Sequence, residues 1–278
     1  MILEFSVGQD GLAVEDVLKQ NGVSRRLILK LKREPMGICV NGNHARTIDK
    51  VSVGDVVSIS HSDTKTLEGN ESLCVPIIYE DEYFIIFDKP GNMPVHPSIK
   101  HQGDTLGNYF SYLHPSLTFR PVNRLDRDTS GLCCVAKDAY SAKKLQYNIH
   151  KRYSAVVCGR ITEASSVDLP IAREKDSIIK RCIRQDGQEA KTLYTPIKTN
   201  DRYTLLELTL ITGRTHQIRV HMSAVGYPLA GDDMYGGDCT DIHRQALHCS
   251  HLSVKHPVTD EQMEFDSPLP EDISSLIY

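Results

Sequence analysis

A chain of 278 residues with 40% hydrophobic content has room for one large domain plus a small one, which excludes disorder over most of its length. A net charge of −4 argues against a protein that coats nucleic acid by bulk electrostatics, yet permits a local basic surface, since phosphate senses charge within about 10 Å. No apolar run approaches the ~18 residues of a membrane span and MILEFSVGQDG lacks the pattern of a signal peptide, so the expected location is the cytoplasm.

Residues 1–60 read as a separate small module. GLAVEDVLKQNGVSRRLILKLKR predicts a short helix through Val14, Val17 and Leu18, a turn at Asn21-Gly22, and a second helix capped by Ser24 with Leu27, Ile28 and Leu31 inward. Arg25, Arg26, Lys30, Lys32 and Arg33 belong to that second helix, with no acid among them. Two short strands about Asn41-Gly42 and an alternating strand in VGDVVSIS follow. HSDTKTLEGNES is polar and aperiodic, so 61–75 is expected to be a linker.

From residue 76 to 278 no comparable break occurs. Tyr83 to Phe87 predicts a strand, GDTLGNYFSYL a helix capped by Asp104, and Leu132 to Ala136 a buried strand. A helix is expected over about 138–150, then a strand beginning at Tyr153, then strands in KTLYTPIKT and RYTLLELTLITG. A helix ending near Gly226 would place Thr215, Ile218 and Met222 on one face and His216, Arg219 and Ser223 on the next. The class is α+β, without the βαβ alternation of a Rossmann fold.

Chemistry could reside in Arg124-Leu125-Asp126 with Asp128-Thr129-Ser130-Gly131, in residues 211–236, or around His248 and His251. The eight cysteines form no C-x-x-C pair, and His216 and His221 stand five apart without H-E-x-x-H, so no metal is expected. Ser130 lacks the G-x-S-x-G elbow of an acyl-transfer nucleophile, and GDDMYGG does not precede a helix bearing a phosphate-binding Lys. What remains is Asp126 among arginines. On physical grounds alone, a structural Asp126–Arg219 ion pair and an ionised catalytic carboxylate weigh equally.

The order of helix, basic helix, V-N-G hairpin and V-G-D-x-V strand over roughly residues 10–60 resembles the S4 RNA-binding domain. Over about 79–257, YEDEYFIIFDKPGNMPVHP, NRLDRDTSGLCCVAK, KRYSAVVCGRI, LTLITGRTHQIRVHMSAVGYPLAGDDMYG and RQALHCSHLSVKHP resemble the successive motifs of the RluA-type pseudouridine synthases. The resemblance implies a catalytic domain with a mixed, largely antiparallel sheet, preceded by a small α+β S4-like domain. It also implies an isomerase turning specific uridines of ribosomal or transfer RNA into pseudouridine, a monomer without cofactor or metal.

Carried over by motif, Asp126 is the catalytic aspartate, Tyr153 the active-site tyrosine and Arg219 the arginine paired with the aspartate. Arg124 would enter the RNA stack when the uridine is extruded, Ile218 would form an apolar wall, and Arg25, Arg26 and Lys30 would grip phosphate. One departure stands out: Asn123 replaces the family's usual His on a loop expected to face RNA, which bears on substrate assignment. Two other readings remain. One is an RNA-binding ribosome-assembly factor with a vestigial site; the other is a glycosidic-bond hydrolase, whose second acid would be Asp128, Asp232 or Asp233.

Overall fold

The computed structural model describes residues 2–60, 67–98 and 100–278. The first sixty residues have their own apolar core. Helix Val14–Gln20 buries Val14, Val17 and Leu18, and helix Arg25–Leu31, capped by the Ser24 side chain, buries Leu27, Ile28 and Leu31. Lys32 is the C-cap and Arg33 lies beyond the helix, so three of the five basic residues are helical. The helices rest on an antiparallel sheet in the order Ile2–Ser6, Val56–Ser60, Ile38–Val40, Asn43–His44. Asn41 and Gly42 both adopt positive φ, which lets a two-residue turn match the strand twist. Ile2–Ser6 alternates, with Leu3 and Phe5 turned to the small core, and pairs with Val56–Ser60 along five residues.

Residues 61–66 of the expected linker lie outside the described residues. Residues 67–75 sit on the large core, where Leu67 and Leu73 pack and Val75 is buried. Asn108 Nδ2 holds this stretch by donating to Glu68 O at 2.8 Å. Asn108 also completes a capping box with Thr105, which caps helix Leu106–Leu113 in place of the expected Asp104; Asp104 instead pairs with His101.

A ten-stranded, mixed and largely antiparallel sheet forms the large unit. Its central path runs Lys191–Thr199, Tyr203–Leu210, Ile149–Cys158, Leu247–Lys255, Ser130–Ala136, Phe84–Lys89. Every residue of Ser130–Ala136 is buried, as a run apolar on both faces requires. This strand pairs in parallel with Leu247–Lys255 through Ser130 and Gly131 only. Gly131 has φ +106°, and a Cβ there would lie 2.3 Å from Cys249 O, so glycine alone allows the approach.

Helix Ala139–Tyr147 ends three residues early, because the next strand starts at Ile149, four residues before the expected Tyr153. Tyr140 on this helix packs into the small unit's core, with its ring 5.9 Å from that of Phe5, and Lys143 Nζ donates to Gly22 O at 3.1 Å. Among the described residues, no helix is long and apolar enough to cross a membrane.

Candidate active site

The charged stretch before Ser130–Ala136 is a loop held by its backbone. Lys89 is fully buried, and its ammonium donates to the carbonyls of Pro90 (2.7 Å), Met93 (2.8 Å) and Arg127 (3.0 Å). Burial draws the Lys89 pKa down to about 8, which still leaves it mostly charged near neutrality. Met93 N–H also donates to Arg127 O, Arg244 Nη1 donates to Asp128 O at 3.0 Å, and Gln245 Nε2 reaches Thr129 Oγ1 at 3.2 Å. Arg127 and Asp128 pair with each other, at 2.8 and 3.0 Å, and stay at the surface. Of the four charges, Arg124 and Asp126 line the cleft.

That cleft is open to solvent and spans about 380 Å³, its open mouth included. Asp126 lies on one side. Ile218, Tyr153, Leu210 and Leu247 supply its apolar surface, and Arg124, Arg214 and Arg219 its positive charge. Asp126 is the sole carboxylate among the described residues lining it. Its Oδ2 accepts from Arg219 Nη1 at 3.1 Å and lies 3.7 Å from His216 Nε2. Arg219 is itself buried and turns Nε and Nη2 onto both oxygens of fully buried Asp232, at 2.7 and 2.8 Å. Burial alone would lower the Arg219 pKa; the two carboxylates outweigh it, so the arginine stays charged.

Tyr153 sits where the register of Ile149–Cys158 against Leu247–Lys255 shifts between Arg152 and Ser154, an irregularity of the kind that re-aims a side chain at an active site. Burial, and then Cys249 and Asp126 nearby, push its hydroxyl well above the usual phenol range, so it holds its proton. Helix Gln217–Ala224 begins later than expected, which leaves Thr215 and His216 ahead of it and His216 at φ +58°. Gln217 fixes this entry through both ends of its amide: its Oε1 accepts from Thr212 Oγ1 and Arg214 N, and its Nε2 donates to Lys191 O and Thr192 Oγ1.

His216 Nδ1 meets Tyr235 Oη at 2.8 Å, and that oxygen accepts from Arg181 N. With the tyrosine proton aimed at Nδ1, the imidazole proton would sit on Nε2, facing Asp126. Burial, which outweighs the attraction of Asp126, keeps the ring pKa low and the ring neutral.

Two expectations change. Asn123 does not face a ligand: it is buried, its Nδ2 donates to Leu132 O at 3.1 Å and its Oδ1 accepts from Cys134 N at 2.8 Å, so it ties the loop to the strand. The second acid of a glycosidic hydrolase is not found in the cleft either, because Asp128, Asp232 and Asp233 all lie outside its lining. Ser130 does bond to His248 at 3.0 Å, but both are buried and His248 Nε2 faces Ser267 O rather than a carboxylate, so no triad forms.

Arg25, Arg26 and Lys30 are exposed on the small unit's helix, outside the cleft lining. His216 and Tyr235 complete the site without having been assigned a role from sequence, and Asp232, considered there only as a hydrolase's second acid, holds Arg219 instead; all three fall inside the long motif 208–236.

The RNA pseudouridylate synthase family model matches residues 83–224, which include Asp126, Tyr153 and Arg219. The chain is 39% identical over 278 residues to the uncharacterized RNA pseudouridine synthase YjbO of Bacillus subtilis, covering 96% of this chain and 98% of that protein. It is 39% identical over 224 residues to ribosomal large subunit pseudouridine synthase D of Pseudomonas aeruginosa, covering 72% and 70%. Among solved structures, human RNA pseudouridylate synthase domain containing 1 superposes with a TM-score of 0.61 at 26% identity, over 73% of this chain and 86% of that one. A lone cleft carboxylate without a second acid suits isomerisation rather than hydrolysis, and together with these likenesses it places the chain in the RNA pseudouridylate synthase family, isomerases of uridine in RNA.

Proposed function

We propose that Asp126 opens the glycosidic bond of a uridine swung out of a ribosomal RNA of the large subunit, and that the freed uracil turns and rejoins the ribose through C5. The observation that carries this reading is the Asp126 carboxylate itself, held in the cleft by one nitrogen of Arg219. The N1–C1′ bond breaks, the C5–C1′ bond forms, the C5 proton leaves and N1 gains one, so no redox partner or added atom is needed. Asp126 would start the reaction either by attack on the ribose or by taking a ribose proton.

Tyr153, protonated and beside Asp126, would stack on the uracil and relay the C5 proton by releasing its own as it takes that one; Ile218 would close the opposite apolar wall. Exposed Arg124 would fill the gap left in the RNA stack, which offsets part of the cost of flipping. Large-subunit ribosomal RNA is favoured over transfer RNA because several relatives at 34–39% identity bear the name ribosomal large subunit pseudouridine synthase D. The first sixty residues would serve as an S4-like RNA-binding domain through Arg25, Arg26 and Lys30, ahead of a catalytic domain spanning 76–278. The protein would work as a monomer in the cytoplasm without a cofactor.

The test is tritium release from C5 of labelled uridine in total RNA from cells lacking this protein, comparing wild type with Asp126→Asn. Release by wild type alone is the expected result, and mapping the product names the RNA. Equal release by Asp126→Asn would remove Asp126 from the mechanism. No release from either, with tight RNA binding, would support an assembly factor instead.

A further inference from the structure

The polar surroundings of Asp126 are lopsided. Arg219 Nη1 and His216 Nε2 both face Oδ2, and no described residue hydrogen-bonds Oδ1. An arginine alone with one carboxylate in a closed site favours the two-pronged pair that takes both oxygens. Here that fork is already taken. Nε and Nη2 of Arg219 lie on the two oxygens of Asp232, and the Tyr235 ring stands 5.0 Å from the guanidinium carbon.

We propose that Asp232 is a positioning residue for the isomerisation, restricting Arg219 to a single hydrogen bond on Asp126 so that Oδ1 stays free to meet the ribose. Asp232 also sets a second negative charge against Arg219, 2.7 and 2.8 Å from its Nε and Nη2. The loop is built to hold this geometry. Gly231, at φ +74°, and Gly237 sit where a Cβ would fall 2.0 Å from Arg244 O and 1.9 Å from Leu229 O, and Asp232 O accepts from Gly237 N at 2.8 Å. A buried ion pair contributes little net stability, and a purely structural Arg219–Asp232 pair would need no second carboxylate within reach of the same guanidinium.

The inference rests on the reading that Asp126 starts the reaction, and the experiment separates the two. Single-turnover rates of tritium release would be followed against pH for wild type, Asp126→Asn, Asp232→Asn and Asp232→Glu, alongside RNA binding and thermal midpoints. The groups facing Asp126 that could shape the profile are Arg219 on the helix, His216 and Arg214 before it, Asp232 and Tyr235 after it, Arg124, Tyr153 and Lys89.

Asp232→Asn should lower the rate about tenfold or more and displace the acid limb of the pH profile, with RNA binding changed less than about twofold. An unmoved limb, with activity reduced only in proportion to the folded fraction, would overturn the proposal. Should Asp232→Asn not fold, Asp232→Glu decides: the charge is kept but the fork is displaced, so the limb should stay in place while the rate falls. A wild-type rate or a shifted limb in that variant would overturn it. An active Asp126→Asn would instead sink the underlying reading.

Discussion

Lys89 Nζ lies 3.0 Å from the carbonyl of Arg127, one residue from the cleft carboxylate, and the same ammonium holds Pro90 and Met93. Lys89→Met would leave the Pro90 and Met93 carbonyls without a donor and Arg127 O with Met93 N–H alone, so a destabilisation of about 3 kcal/mol is expected, with isomerase activity falling further than RNA binding. The urea midpoint and tritium release measure the two effects. Because burial lowers the folded pKa to about 8 from 10.5, the unfolded chain binds more protons between those values. Wild type should therefore gain stability relative to Lys89→Met as pH rises from 8 to 10.5. Parallel curves would refute this.

Asn123 works inside the protein, so its replacement should act on stability. Asn123→Ala removes two hydrogen bonds at 3.1 and 2.8 Å to buried backbone groups, for an expected destabilisation of about 2 kcal/mol. The set of uridines modified should be unchanged when products are mapped. A new target site would show that this position does read RNA.

Two buried histidines make the protein sensitive to acid. His221 Nε2 faces Leu169 O and its Nδ1 faces Thr192 Oγ1; His248 Nε2 faces Ser267 O and its Nδ1 faces Ser130 Oγ. Each ring is neutral, its pKa pushed below 6.5 first of all by burial. The unfolded chain gains protons that the folded chain refuses, so their contribution is present above pH 6.5 and declines as pH falls below it. Thermal midpoints should drop over that range, and the slope should flatten in His221→Asn and His248→Asn. An unchanged slope in both variants would contradict the assignment.

Arg25, Arg26 and Lys30 project from a helix whose inner face is fully committed to the small core. Reversing all three charges should weaken RNA binding and flatten its salt dependence, with the slope falling by about one for each phosphate no longer neutralised. The single-turnover rate at saturating RNA should stay within about twofold. A salt slope identical to wild type would place the RNA elsewhere.

Local sequence determined a good deal of this protein. The inward faces of the two small helices, the buried run Leu132–Ala136 and the Asn41-Gly42 turn follow from periodicity and backbone preference, which act over a few residues. Asp126, Tyr153 and Arg219 stand out because each lies in a long motif, and the fold brings all three to one cleft. Only the tertiary structure decided what surrounds them. Asp232 and Asp126 are 106 positions apart in the chain, and nothing local says that one guanidinium will be divided between them. The same holds for Asn123, where an amide that looks ready for RNA turns inward because strand Ser130–Ala136 offers it a donor and an acceptor. Pairing of distant polar groups is fixed by which backbones pack against each other, and that depends on the whole sheet rather than on any segment of it.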